Sequence, residues 1–254
     1  MLFDLRGKRK RLVQVSYAAL AAIFLVGFVG FSIGSGNAPG GLFDAIGLGD
    51  SSGSGSLSAQ FDDQIDAANQ QLAKDPKDTD ALLKLAKYEY FKGKQGVSTD
   101  PETGAPTVSE DAHTELGAAV DDWEKYVKLV KGDPDPGVAG EMVQAYFLLN
   151  DAGGAAQAQR IVAEDQPSSG SYGQLAFFLY AAADIPAGDA AAKKALAEAS
   201  GSQRKAIDKQ LSGIRKKAVK LEKQLAKARK QAPAPTAPGA NPLQNPFGGV
   251  GTSP

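Results

Sequence analysis

The amino-acid sequence predicts an all-α protein with an N-terminal transmembrane helix, a short stack of about three helix hairpins and a long basic C-terminal helix. Alanine, glycine, leucine, lysine and aspartate are the commonest residues, while β-branched strand formers are sparse beyond residue 33. Between residues 60 and 200, apolar residues return at intervals of three and four, which is the spacing of one helix face. Residues 202–231 repeat this spacing among many cations.

The composition excludes several classes of functional site. The chain has 254 residues with no cysteine and a single histidine, His113, which we expect on the surface. Disulfides and thiolate metal sites are therefore excluded, and a zinc site lacks ligands. Serine–histidine or cysteine–histidine catalysis would depend on His113 alone. The acidic pairs Asp62–Asp63 and Asp121–Asp122 have no nucleophile beside them, and we interpret them as solvated faces. We expect no cofactor, no metal and no enzymatic activity.

The N-terminus has the pattern of a membrane anchor. Five cations within residues 6–11 precede residues 12–33, which carry no charged side chain. A helix of that length spans roughly 33 Å, close to the ~30 Å hydrocarbon core of a bilayer. A cleaved signal peptide is the alternative, although its apolar core is usually shorter. By the positive-inside rule, residues 1–11 are expected in the cytoplasm and the rest beyond a bacterial-type plasma membrane.

Two segments of low complexity flank the central part of the chain. Residues 34–58 are rich in glycine and serine and are predicted to form a flexible linker. Residues 232–254 are rich in proline and glycine and nearly uncharged, which is typical of a disordered tail. The folded part is therefore expected between residues 59 and 231.

A pattern of large and small residues recurs three times between these segments. The first copy starts at Thr79, and its first helix is followed by a turn at Gly93. Equivalent positions of the three copies hold the following residues: Leu82, Leu85 and Ala86; Ala139, Met142 and Val143; Tyr172, Leu175 and Ala176. A single helix pair cannot bury its apolar face alone, so such pairs stack against one another.

These positions resemble the tetratricopeptide-repeat family over roughly residues 60–200, although no copy carries the full signature. The resemblance implies antiparallel helix pairs whose stack forms a curved surface that holds peptides or partner proteins. The repeat domain is predicted over residues 59–200. An unrelated bundle of α-hairpins is the alternative interpretation.

The first copy contains an insertion. Leu85 and Met142 are equivalent but lie 57 residues apart, which exceeds the 34-residue period by 23. The inserted loop is assigned to residues 94–111. Its Asp100, Glu102 and Gly104 are spaced faintly like a calcium loop, but further ligands are missing, and the segment is interpreted as an exposed hairpin-like turn. Long loops in compact folds are often contact sites.

The charge is distributed unevenly along the chain. Residues 12–201 carry a net charge of −14, whereas residues 202–231 carry +9. Apolar residues in the basic segment follow a heptad spacing, which predicts a basic amphipathic capping helix over residues 201–231. Its seam consists of Ile207, Leu211, Ile214, Ala218, Leu221, Leu225 and Ala228. Three uses remain open: capping the last repeat with the cations facing the acidic stack, self-association, and binding of anionic lipid.

The functional prediction is a non-enzymatic interaction module on the extracytoplasmic face. In topology the chain looks like single-pass tetratricopeptide proteins that accompany the protein-export channel and periplasmic chaperones, which implies docking of exported polypeptides or a chaperone. The alternative is an envelope-organising protein that self-associates through its C-terminal helix. Nucleic acid is not an expected partner, because no aromatic residues interleave the cations. The predicted partner-binding residues are Lys84, Lys87, Tyr88, Gln144, Phe147 and Gln174.

Overall fold

The structure, a computed structural model, describes residues 54–101 and 104–231. This part of the chain is mainly helical, and the all-α prediction is confirmed for it. The helices are α1 Ser54–Lys74, α2 Thr79–Lys94, α3 Glu110–Leu129, α4 Pro136–Leu148, α5 Ala152–Asp165, α6 Ser169–Ala181, α7 Ile185–Glu198 and α8 Gly201–Gln231. Strands β1 Val97–Thr99 and β2 Pro106–Val108 lie between α2 and α3.

Consecutive helices pack in pairs. Helix α2 packs with α3, α4 with α5, and α6 with α7, while α1 packs on α2 at the beginning of the series. Neighbouring pairs meet through α2, α3 and α4 at one junction and through α5 and α6 at the next. Helix α8 covers α6 and α7 at the other end. One continuous apolar core runs through the series.

Tyrosine–glycine contacts hold the second and third pairs together. The ring of Tyr146 on α4 occupies the space that a Cβ at Gly154 on α5 would need. The ring of Tyr180 on α6 lies in the same way over Gly188 on α7. Because glycine has no side chain, the two backbones of each pair approach closely at these points.

The turns within these two pairs are also alike. Asn150 and Ala183 both adopt the left-handed conformation, with φ of 59° and 61°. The next residue in each turn is an aspartate that caps the following helix: Asp151 accepts from the Gly154 N–H and Asp184 from the Ala187 N–H. This capping satisfies a backbone donor that the helix itself leaves unpaired.

The insertion forms a small antiparallel β-hairpin, in agreement with its interpretation as a hairpin-like turn. Val97 pairs with Val108, and Ser98 pairs with Thr107. Both valines are half-buried against the core, whereas Thr107 is exposed. The Ser109 N–H donates to the Gly96 carbonyl at 3.1 Å and closes the base of the hairpin.

Helix α8 covers the last pair with its apolar seam, but most of its cations face solvent. Leu211, Ile214, Ala218 and Leu221 are all buried in the common core. Most lysines of α8 are exposed, and among the described residues its one ion pair joins Arg215 to Asp189 on α7. For the capping use, the expectation that the cations face the acidic stack holds within the described residues only for Arg215, because most of the charged face lies opposite the buried one.

Several sequence predictions fall outside the described residues. These are the cytoplasmic segment 1–11, the transmembrane helix 12–33, the linker up to residue 53 and the tail 232–254. Helix α1 begins at Ser54, so residues 54–58 are helical and the predicted linker boundary was wrong there. Once Phe61 fixes the helix by packing against Tyr88 and Phe91 of α2, extending it by a turn is easy because only nucleation is unfavourable. None of the helices in the described residues is long and apolar enough to cross a membrane.

Candidate functional site

A pocket of about 340 Å³ opens between α2 and the beginning of α4. It combines two lysines, two carboxylates and an apolar wall. Helix α2 contributes Leu83, Lys84, Lys87 and Tyr88, and the start of α4 contributes Asp135, Gly137, Val138 and Glu141. Its volume suits one large side chain together with a short length of backbone.

The sequence of α2 dictates which residues face the pocket. Asp78 caps the helix by accepting from the Asp80 and Ala81 N–H groups, both at 3.0 Å. The buried stripe, which includes Leu82 and Leu85, fixes the rotation of the helix against the core. Residues one or two positions further along then emerge beside α4, and Lys84 and Lys87 are exposed there.

The beginning of α4 is fixed by a similar cap. Asp135 accepts from the Val138 N–H at 2.8 Å, and Pro136 occupies the first turn, where a missing N–H costs nothing. The Asp135 N–H donates to the Tyr126 hydroxyl on α3 at 3.1 Å. These bonds fix the α4 side of the pocket by tying Asp135 to both α3 and α4.

An aromatic cluster supports the Tyr88 side of the pocket. The Tyr88 ring lies 6.3 Å from the ring of Phe61 on α1. Phe61 also stacks on Phe91, with ring centroids 5.9 Å apart. The cluster therefore couples the pocket wall to α1, the helix that follows the predicted linker.

Glu141 is the most perturbed group of the pocket. Burial raises the pKa of its carboxyl to about 7, an effect opposed by Lys87, supported by Asp135 and opposed again by Lys94. Its Oε2 atom is buried without a hydrogen-bond partner among the described residues. Burial also lowers the pKa of Lys94, and Glu141 partly compensates. The pocket thus changes charge near neutral pH.

The structure brings together three of the six predicted partner-binding residues, namely Lys84, Lys87 and Tyr88. Gln144 lies next to the pocket, and its side-chain oxygen accepts a hydrogen bond from the Tyr90 hydroxyl, which ties α4 to α2. Phe147 is half-buried and packs against the core. Gln174 is half-buried on α6, outside the pocket lining. Three of the six predicted residues therefore line the pocket, and the other three do not.

Glu141 was missed in the sequence, although a usable signal exists. Lys84, Glu141 and Gln174 occupy the same position in the three copies of the repeated pattern, and only two of them were selected. Equivalent positions of stacked helices tend to lie along one surface. The unpaired buried oxygen of Glu141, by contrast, depends on neighbours that the pattern does not specify.

Comparison of the chain with protein-family models, with curated proteins and with solved structures found no match. Inference about function therefore starts from the geometry of the described residues.

A second group of charges lies between α1, α2 and α3. The Lys92 ammonium contacts Asp62 at 2.9 Å and Glu115 at 2.8 Å. Near it, Glu89 is buried, and burial, followed by the neighbouring Asp122, raises the pKa of its carboxyl to about 8. The interpretation of Asp122 as solvated was wrong: it is buried and binds Lys125 at 2.6 Å.

Neither group has the composition of a metal centre. Among the described residues, no cluster of three or more histidine, aspartate or glutamate side chains could hold a metal ion. The second group of charges ties α1, α2 and α3 together, and its Glu89 and Asp122 are buried. The pocket between α2 and α4 is open, and its mixed lining of charged and apolar groups is suited to recognition.

Proposed function

We propose that the protein is a membrane-anchored, tetratricopeptide-like docking module that binds an extended polypeptide between α2 and α4 on the extracytoplasmic face. The pocket lined by Lys84, Lys87, Tyr88 and Glu141 is the observation that carries this proposal. The paired helices, the repeated tyrosine–glycine contacts and the repeated turns support the tetratricopeptide-like part of it.

The lining defines the chemistry of the ligand. Lys84 and Lys87 are exposed at the rim and can bind carboxylates of a peptide, while Leu83, Tyr88 and Val138 provide an apolar wall for one neighbouring side chain. Short segments with an acidic residue next to an apolar one fit this arrangement. In the resembling proteins that accompany export channels, the docked partner is an exported chain or a chaperone.

Site-specific crosslinking in intact membranes tests the proposal. A photo-crosslinking residue at Lys84 is expected to capture a protein partner, and the double charge reversal Lys84→Glu and Lys87→Glu is expected to abolish its co-purification. Lys128→Glu with Lys131→Glu is the matched control, because both lysines are exposed on or just after α3, outside the pocket lining. An unchanged set of partners after reversal at the pocket would contradict docking there.

The alternative, self-association through the C-terminal helix, requires a free apolar seam. Leu211, Ile214, Ala218 and Leu221 of that seam are buried against the chain's own core. What α8 presents to solvent is its charged face. The docking module is therefore the function that the geometry supports better.

A further inference from the structure

Helix α8 carries six lysines in a single narrow row. At 100° per residue, they fall within an arc of about 60° and extend over roughly 33 Å of helix. All six are exposed. This lysine stripe consists of Lys205, Lys209, Lys216, Lys220, Lys223 and Lys227.

The lysine stripe points away from the folded chain. The same helical geometry places it opposite the buried seam, whose centre includes Leu211, Ile214 and Ala218. The two acidic residues of α8, Asp208 and Glu222, lie on a flank of the helix outside the stripe's arc. Within the described residues, none of the six lysines forms a salt bridge. The stripe is therefore an unneutralised linear charge.

The composition of the stripe indicates the kind of surface that it meets. Protein interfaces are usually centred on buried aromatic and arginine side chains, and the stripe contains neither. Single-stranded nucleic acids are held by aromatic stacking, which is also absent. Lysine is a compact, hydrated point charge on a flexible stem, and a row of lysines suits a flat surface with diffuse negative charge. An anionic lipid surface has this property.

The expected anchor places such a surface within reach. Twenty residues, 34–53, separate the predicted span from the beginning of α1. A chain of twenty residues spans at most about 70 Å. Helix α1 lies at one end of the helix series and α8 at the other. A contact through α8 would give the domain a second attachment point at its far end.

We propose that the lysine stripe of α8 adsorbs electrostatically onto the anionic headgroups of the bilayer that anchors the chain. The apolar seam stays on α6 and α7, so the helix rests on the headgroups without inserting. Each lysine near an anionic bilayer contributes about 1 kcal/mol at moderate salt. The contact goes beyond polypeptide docking and sets the orientation in which the stack faces its partners.

Energy transfer in single-copy nanodiscs tests this contact with the full chain. Since the chain has no cysteine, Gln224→Cys on the exposed side of α8 provides a unique site for a donor dye. The acceptor is a labelled lipid. We expect higher transfer efficiency in discs that contain phosphatidylglycerol than in discs of phosphatidylcholine alone, and we expect the difference to disappear at high salt.

Two variants that remove the same number of positive charges distinguish an effect of the lysine stripe from an effect of overall charge. The variant Lys209→Gln, Lys216→Gln, Lys220→Gln and Lys223→Gln is expected to lower the ratio of docked to undocked protein several hundredfold, about fivefold per lysine. The control variant changes Lys74, Lys77, Lys128 and Lys131, all exposed outside α8, to glutamine and should retain docking. Far-ultraviolet circular dichroism verifies that both variants stay folded.

Three results would overturn the proposal. The first is equal transfer in neutral and anionic discs. The second is an equal loss of transfer in both quadruple variants. The third is an absence of docking in single-copy discs together with a dimer, seen by sedimentation, that only the stripe variant loses; the stripe would then bind a second copy of the chain.

Discussion

Arg215 of α8 binds Asp189 of α7 through two hydrogen bonds, at 2.6 and 2.8 Å. The same carboxylate accepts a hydrogen bond from the Tyr180 hydroxyl on α6 at 2.8 Å. One aspartate thus joins the three helices at the C-terminal end of the stack. The planar fork of arginine fixes the position of α8 more strictly than apolar packing alone.

Arg215→Gln should loosen α8 without unfolding the stack. The arginine is the main reason that the pKa of Asp189 is held below its usual value. A depressed carboxyl pKa stabilises the fold above the unfolded pKa, near 4, and this contribution disappears as pH falls through the folded pKa. The protection factors of residues 207–221 in amide hydrogen exchange, which correct for the intrinsic slowing of exchange at low pH, are therefore expected to fall in the variant at pH 7 and in the wild-type protein at acidic pH.

The core of α4 provides the internal reference for that experiment, because the protection factors of residues 142–146 should not change. Both charged groups are partly exposed, with relative side-chain accessibilities of 46% and 41%, so high salt should weaken the effect. An equal fall in α4 would mean that the pair stabilises the whole fold and not α8 alone.

Leu211→Ala should destabilise the protein as a core substitution does. Leu211 is 3% exposed and lies in the common core beneath α8. Removing most of a buried leucine side chain costs about 2–5 kcal/mol of unfolding free energy. Urea denaturation measures the change, and Lys216→Ala on the exposed face is the control, with an expected change within about 0.5 kcal/mol. A similar small change for Leu211→Ala would argue against capping by α8.

Gly154→Ala and Gly188→Ala should each lower the unfolding free energy by about 1–3 kcal/mol, because the new methyl groups overlap the rings of Tyr146 and Tyr180. Gly140→Ala is the matched control within a helix. A Cβ there approaches only a Val162 methyl group, at 4.0 Å, so the gain in helix propensity should stabilise the protein by up to about 1 kcal/mol. Thermal denaturation measures these changes: the melting temperature should fall in Gly154→Ala and Gly188→Ala and rise in Gly140→Ala.

Ala183→Gly should stabilise the turn between α6 and α7 by about 0.5–1 kcal/mol. Ala183 has a φ of 61°, and the strain of an L-residue in this region exceeds the entropy that glycine loses on folding. The equivalent change Asn150→Gly should have a smaller effect, since asparagine tolerates the left-handed region. Differential scanning calorimetry compares the two, and a lower melting temperature for Ala183→Gly would contradict the assigned strain.

Glu89→Gln should reduce the dependence of stability on pH between about 5 and 8, and Glu141, whose pKa is raised to about 7, should account for much of the dependence that remains. A buried carboxyl with a pKa of about 8 binds its proton more tightly in the folded than in the unfolded protein. The unfolding free energy of the wild-type protein therefore falls as pH rises through this range, by a few kcal/mol. The variant should be the more stable protein at pH 8, as measured by urea denaturation.

Asp63→Asn is the control for that experiment, because Asp63 is exposed on α1. It should leave the pH profile unchanged. If Glu89→Gln kept the slope of the wild-type protein, the carboxyl would be ionised in the folded state, and the raised pKa would be wrong.

Of the six predicted site residues, three line the pocket and three do not, because a pattern within one helix specifies only part of its surroundings. Periodicity identified Lys84, Lys87 and Tyr88 as lying off the buried stripe of α2, and the three residues do share a pocket. It treated Gln144 in the same way, but that side chain is engaged by Tyr90 from the neighbouring helix. A pattern within one helix defines a face, whereas the partner on the opposite helix depends on how the two helices pack.

The sequence alone determined the helical class of the described chain, the direction of its charge asymmetry and the apolar seam within the basic segment of α8. These features follow from intervals of three, four and seven residues, which act within a single helix. The tertiary structure decided that Glu89 and Asp122 are buried, that Glu141 lines a pocket and that the lysines of α8 face solvent. Burial and pKa depend on groups brought together from distant parts of the chain, and no local pattern specifies them.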